Sequence, residues 1–233
     1  MSITDKLNTI AENEQKVFEA GKTKQEYDWW NTYQNGNSGG MAYAIALFAG
    51  HHWNNATFKP KFDICPTNYA QYMFFYNNVI DLDATIQSLG IKFDTSKAKN
   101  MGSFFQNYLG KVIPEIDTTN CQTWDSLMFA YASALTTIKK LIVKTNGTQS
   151  FTNWFVDCSK LANIVIDGVI GRNIDFSACP LTKDSILSVV EHLSDTEANR
   201  TVTFKKTAKE SAFTTDEWAT LIATKPNWTF SLA

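Results

Sequence analysis

An excess of charge of either sign is missing from this chain of 233 residues, in which 21 lysines and arginines face 23 aspartates and glutamates for a formal net charge of −2. Without a basic field or a local basic cluster nothing neutralises a phosphate backbone, so general nucleic-acid binding is excluded as an expectation. Long apolar runs are missing as well. The most apolar window, Ala42 to Ala49, falls far short of the ~20 residues that cross a bilayer, and no membrane insertion is expected. The opening residues turn polar at once, with no basic stretch leading into an apolar one, so synthesis in the cytoplasm without a secretory signal is the expectation.

Cysteine motifs are also absent. Cys65, Cys121, Cys158 and Cys179 are widely spaced, form no Cys-x-x-Cys and have no histidine at ligand spacing, which predicts four buried free thiols and no metal site. Of the three histidines, His51 and His52 are adjacent, so their side chains diverge, and His192 sits among apolar neighbours in a helical pattern. No Gly-x-Ser-x-Gly elbow, His-Glu-x-x-His or dinucleotide fingerprint occurs. Gly21-Lys22-Thr23 looks like the end of a phosphate loop, but the glycine such a loop needs five residues earlier is replaced by Lys16. Asp81 and Asp83, at i and i+2 on an expected strand edge, face solvent together and do not flank a glycosidic bond. The chain is therefore expected to have no catalytic site, no cofactor and no metal.

What the chain does have is 44% apolar residues, 13% aromatics and only 19% charged residues, enough for a real core. Ile3, Leu7, Ile10 and Val17 follow alternating four- and three-residue steps, with Glu14 in the remaining step, and form a heptad seam that Gly21 ends. A seam this short either packs on the rest of the chain or associates with copies of itself. Trp29, Trp30, His51, His52 and Trp53 are read as a second small core in preference to a site.

From about residue 62 one spacing recurs. Tyr69, Tyr72, Met73 and Tyr76 stand at i, i+3, i+4 and i+7, followed by an expected strand Val79–Leu82. Met101, Phe104, Phe105 and Tyr108 repeat the pattern before Val112–Ile116. Trp124, Leu127, Met128 and Tyr131 precede Leu135, Ile138 and Leu141–Val143, and Phe151, Trp154, Phe155 and Cys158 precede Leu161 and Ile164–Ile166. With starts at Tyr69, Met101, Trp124 and Phe151, the unit is roughly 25 residues long with variable loops, a period in the range of leucine-rich-type repeats. Each unit reads as one or two helical turns with an aromatic face and then a strand too short to stand alone. Stacking buries the aromatic face and pairs the strands in parallel. On this reading the aromatic stripe is core, and Cys158 is packing at the place of Tyr76, Tyr108 and Tyr131.

After Phe176 the pattern changes. Thr182 caps a helix running through Leu193, with Ile186, Val189, Val190 and Leu193 inward; a strand Thr201–Phe204, a helix Asp216–Ala223 and a strand Trp228–Leu232 follow. The expected fold is α+β: an N-terminal helical segment for anchoring or oligomerisation with its lead-in (1–61), a leucine-rich-repeat-like solenoid of short helical turns and parallel strands (62–176) and an α/β C-terminal cap (177–233).

The copy Phe151-Thr-Asn-Trp-Phe-Val-Asp-Cys-Ser-Lys-Leu-Ala-Asn-Ile-Val-Ile resembles BspA-like leucine-rich repeats. The opening Ile3-Thr-Asp-Lys-Leu-Asn-Thr-Ile-Ala-Glu, the segment Phe93-Asp-Thr-Ser-Lys-Ala-Lys-Asn-Met and the ending Trp218-Ala-Thr-Leu-Ile-Ala-Thr-Lys-Pro-Asn-Trp-Thr are similar to repeat proteins encoded by phages and prophages of gut bacteria. The resemblance spans nearly the whole chain, and the sequence departs from the repeat at Pro114 and in its long first interval. It implies a tail- or baseplate-associated virion protein, with other virion proteins and a host cell-surface glycan or protein as partners, and it carries over no site residue. Strand alternation places Glu115, Lys140, Ile142 and Val165 outward as candidate contacts. The seam would then anchor the protein or form a homotrimer. A purely structural tail component and a bacterial surface adhesin are the alternatives.

Overall fold

The computed structural model describes residues 41–43, 47–50, 53–56, 58–60, 63–122, 127–144 and 151–233. The seam Ile3, Leu7, Ile10 and Val17, and Trp29, Trp30, His51, His52 and Trp124, lie outside the described residues. The elements in chain order are β1 (Met41–Tyr43), β2 (Pro66–Tyr69), α1 (Leu82–Leu89), β3 (Val112–Asp117), β4 (Thr137–Val143), β5 (Asn163–Gly168), β6 (Ile174–Phe176), α2 (Lys183–Glu191), β7 (Arg200–Phe204), α3 (Lys206–Ala212), α4 (Thr215–Ala223) and β8 (Trp228–Leu232). The fold is α+β. Among the described residues all strands pair in parallel, in three open sheets ordered β1-β2, β3-β4-β5 and β6-β7-β8. Single parallel bridges lengthen these ladders, from Asp81 to Val112, Tyr69 to Asn100 and Phe151 to Ile174. Among the described residues no helix is long and apolar enough to cross a membrane.

The core is organised by one column of phenylalanines. Phe48, Phe74, Phe105, Phe129, Phe155, Phe176 and Phe204 lie ring over ring, with centroids of successive members between 4.6 and 6.1 Å apart. From Phe74 onward successive planes are within 23° of parallel. All seven are buried, and they recur every 21 to 31 residues along the chain. The stack therefore continues past residue 176, to where Trp218 closes it edge-on over Phe204 at 5.9 Å and 86°. At the other end Trp53, buried, stands edge-on to Phe48 and Phe58, so this tryptophan is core.

The column corrects the register of two of the four expected copies. The copies beginning at Met101 and Phe151 hold as read. In the first and third the inward residues are Met73 with Phe74 and Met128 with Phe129, whereas Tyr69, Tyr72 and Tyr131 are about 40% exposed and Tyr76 is half-buried. The aromatic stripe is thus core in part only. Cys158 matches Asn77, Tyr108 and Ala132 in place, not Tyr76 and Tyr131.

The reason lies in the backbone, which forms paired turns and no helix at these positions. In the Phe151 unit Trp154 N–H donates to Phe151 and Cys158 N–H to Phe155. The first unit does the same from Met73 to Ala70 and from Asn77 to Phe74. Two i to i+3 closures in series give a three-then-four spacing that resembles helical periodicity. The N–H groups of the column phenylalanines leave the unit: Phe74 donates to Phe104 O, Phe105 to Met128 O and Phe129 to Trp154 O. A left-handed residue stands just before the last inward position of each unit: Tyr76, Asn107, Tyr131 and Asp157, ahead of Asn77, Tyr108, Ala132 and Cys158, all have φ between 54° and 63°.

The residue three places after a column phenylalanine ties its unit to the one before. Asn77 Nδ2 donates to Phe48 O at 3.1 Å, Cys158 Sγ to Phe129 O at 3.1 Å and Cys179 Sγ to Phe155 O at 3.9 Å. Tyr108 Oη reaches Val79 O, which leaves no room beside it: a Cβ on Gly110 would run into that carbonyl and the tyrosine hydroxyl. All four cysteines are free thiols, but Cys65 is half-buried where burial of all four is expected.

Helix α1 replaces the expected strand Val79–Leu82. Asp81 caps it, accepting from Ala84 N–H, and Gly90, with φ of 65°, ends it. Asp83 accepts from Gln87 Nε2 at 3.0 Å, so Asp81 and Asp83 do not share a strand edge. Helix α2 is capped by Thr182, as read, and buries Ile186, Val189 and Val190, but it ends at Glu191, so that buried Leu193, expected as its last inward residue, lies beyond it and bridges to Ile170. It also covers the open edge of β5, where Ile164 and Ile166 N–H donate to Ser185 Oγ and Ser188 Oγ, both at 2.9 Å. The C-terminal segment is held by Lys225, 9% exposed, whose Nζ donates to Leu193 O at 2.7 Å and Asp195 Oδ1 at 2.8 Å, and by Trp228 Nε1, which donates to Ser194 O.

Candidate functional site

Strands β3, β4 and β5 bury one side chain row and present the other. Ile113, Ile116, Ile138, Leu141, Val143, Ile164 and Ile166 are inward. Of the candidate contacts, Glu115 and Val165 are exposed and Lys140 and Ile142 are half-buried. The register aligns Glu115 with Lys140 and Asp117 with Ile142, which in turn pairs with Asp167. The structure therefore brings all four candidates onto one three-stranded surface.

A bulge shapes this surface. Between Ile138 and Leu141, β4 carries Lys139 and Lys140 where β5 carries Val165 alone between Ile164 and Ile166. The extra residue breaks the inside-outside alternation, a β-bulge effect. β3 is matched residue for residue to β4 here, and Pro114, where the sequence departs from the repeat, supplies the extra place and is itself buried.

Lys140 is the electrostatic centre. Its Nζ lies 3.0 Å from Glu115 Oε2 and 3.6 Å from Asp167 Oδ2, so one ammonium bridges three strands. The hydrogen bond to Glu115, with the charge of that carboxylate, raises the Lys140 pKa above its ordinary value. Lys139 reaches Asp83 Oδ2 at 3.9 Å. Asp167 escapes the sequence reading, although the alternation that turns Val165 outward also turns out the residue two places on. Ile80 and Val169, on segments flanking the sheet, are 49% and 45% exposed beside Val165 at 51%.

Other reactive groups are committed elsewhere. Burial pushes the Cys158 thiol up to about 12 and the Cys179 thiol well above its ordinary value, so neither supplies a thiolate nucleophile. His192 Nδ1 lies 2.8 Å from Ser188 O within its own helix. Among the described residues no group of three or more histidine, cysteine or acidic side chains is placed to hold a metal. A groove of about 550 Å³ runs between α2 and α4, lined by Leu187, Phe213 and Leu221, with the Lys183–Glu217 ion pair at 2.9 Å on its rim. No family model, no curated protein and no solved structure matches the chain.

Proposed function

We propose that this chain is a non-enzymatic recognition protein: a leucine-rich-repeat-like solenoid carried on a phage or prophage tail or baseplate, which attaches to the host surface through the outward face of β3, β4 and β5. The solenoid reading is supported by the phenylalanine column, whose members recur every 21 to 31 residues and, from Phe74 to Phe176, each accept an i to i+3 turn bond. The placement on a virion follows from the resemblance to BspA-like repeat proteins of gut-bacterial phages. The observation that carries attachment is the ordered surface on which Glu115, Lys140 and Asp167 form one charged row beside the exposed Val165. Strands ~4.8 Å apart hold these groups at fixed spacing without loop ordering on binding.

The exposed Val165 on this face, with Ile80 and Val169 exposed on segments next to the sheet in sequence, favours a second reading, in which this region docks onto another virion protein. Binding of fluorescently labelled protein to a panel of gut bacterial strains separates the two. Attachment predicts saturable binding to at least one strain and loss of it in Lys140→Glu/Val165→Asp. Absence of binding to every strain, with purified tails binding the protein through that face, would replace attachment by scaffolding.

A further inference from the structure

A second concavity, of about 380 Å³, lies where three successive segments run side by side. It is lined by Thr67, Asn68, Lys97, Lys99, Asn120 and Gln122. The lining holds two ammoniums, three amides and one hydroxyl, with no carboxylate and no apolar side chain. Neither Lys97 nor Lys99 pairs with a carboxylate among the described residues. In a chain whose net charge is −2, this is a local field of opposite sign.

The floor is built. Lys99 N–H and Asn100 N–H donate to Asn68 O at 3.0 and 2.8 Å, and Gln122 N–H donates to Lys99 O at 2.8 Å, so Asn68, Lys99 and Gln122 stand in one row across three segments. The loops beneath are fixed by buried hydroxyls: Thr95, 2% exposed, exchanges hydrogen bonds with the Asp117 backbone at 2.8 and 2.9 Å, and fully buried Thr118 donates to Ile142 O at 2.7 Å. Asn120 Nδ2 donates to Ser96 O at 2.7 Å, which turns its amide oxygen to an adjacent position. The backbone that carries these side chains, and the Asn120 amide, are fixed before any ligand arrives.

From this geometry we infer that the groove binds a short stretch of an anionic glycan. The Asn68 amide and the Asn120 amide oxygen supply the kind of donor and acceptors that vicinal sugar hydroxyls require, and ammoniums pair with a carboxylate or phosphate on the same sugar chain. The volume suits one or two sugar residues. A nucleic acid would need a wider basic field than two lysines. With no aromatic ring in the lining, affinity rests on polar and ionic contacts and falls with salt. The inference names a ligand class for host attachment and rests on that reading.

Calorimetric titration tests it with three probes of equal length: an oligogalacturonate, a glycerol-phosphate oligomer and a neutral maltooligosaccharide. The expected result is saturable binding of one or both acidic probes, at least tenfold tighter than the neutral one and weakened tenfold or more in 0.5 M salt. Lys97→Ala/Lys99→Ala should lose that binding at unchanged melting temperature, and Lys97→Arg/Lys99→Arg should retain it. Binding of the carboxylate probe alone or the phosphate probe alone assigns the source of the anionic group. Equal binding of the neutral probe, wild-type binding by the double alanine variant, or no binding of either acidic probe overturns the inference. If acidic probes fail while labelled protein still attaches to bacterial cells, the groove assignment falls and attachment stands; if both fail, both fall.

Discussion

Phe129 and Phe155 lie ring over ring, 5.3 Å between centroids and 4° from parallel, while Cys158, in the turn that follows Phe155, donates its thiol hydrogen to the Phe129 carbonyl. The same pair is joined twice, once by packing and once by a hydrogen bond. Each unit therefore depends on its predecessor for both apolar burial and polar satisfaction.

Phe129 is flanked by Phe105 on one side and Phe155 on the other, so its removal opens a cavity that neither neighbour can fill. Phe129→Ala should cost about 3–5 kcal/mol in urea unfolding, and Phe129→Leu distinctly less. A loss below about 1 kcal/mol for the alanine variant would contradict the column as the organising core.

Gly110 sits against the Val79 carbonyl and the Tyr108 hydroxyl. Gly110→Ala should destabilise by about 1–3 kcal/mol through overpacking. Tyr108→Phe/Gly110→Ala should recover only the hydroxyl's share of that loss, because a Cβ still meets the Val79 carbonyl and the ring carbon that bears the hydroxyl. A cycle of melting temperatures showing strict additivity would argue against the contact.

Thiol labelling reads the core directly. In native protein at pH 8, Cys65, half-buried, should react within minutes to hours, while Cys121, Cys158 and Cys179 should react only after unfolding. At a pKa of about 12, Cys158 carries on the order of one thiolate in ten thousand at that pH. Native labelling of Cys158 at the rate of Cys65 would show the column to be open.

The serines of α2 stand in for a missing strand. Ser185→Ala and Ser188→Ala should each cost about 1–3 kcal/mol by leaving the Ile164 or Ile166 N–H without its acceptor. Hydrogen exchange should report the loss at those two amides first. Unchanged protection at both would mean that α2 does not seal the sheet.

Acid should loosen the C-terminal segment before the column. Hydrogen bonds from Lys183, then from Thr214, hold Glu217 at about 2 against an ordinary 4.5. A depressed carboxylate stabilises the folded state above its unfolded value and loses that contribution as pH falls from about 4.5 towards 2. Asp94, held at about 2 by Lys92 and Ser96, follows the same sign. Trp218 fluorescence should shift across this range, and Glu217→Gln should flatten the shift.

Much of the architecture was legible because the deciding signals are local. Apolar alternation located β3, β4 and β5, and Thr182 announced α2 within a residue. The Trp228–Leu232 strand was found with both its ends. Helix α1 had its signals too, Asp81 before it and Gly90 after it, but four residues of apolar strand pattern masked them. Of the outward face of β3, β4 and β5, Glu115, Lys140, Ile142 and Val165 are readable by alternation. Asp167 was within reach of the same argument, and the bulge at Lys139 and Lys140 was not, since it exists only relative to β5.

The residues alone fix that large apolar side chains recur at three- and four-residue steps in successive units, that short β-branched runs follow, and that charge is nearly balanced. Which neighbour of each aromatic pair turns inward is fixed elsewhere. Tyr72 and Tyr131 have the size and period of core residues and yet face water, because the inward place belongs to the phenylalanine that meets another phenylalanine one whole unit away along the chain. A helix would have honoured the local period. The paired turns, with a left-handed residue at Tyr76, Asn107, Tyr131 and Asp157, are favourable only because their free N–H groups find carbonyls on the next unit, and a hydrogen bond of that range leaves no mark on the residues beside it.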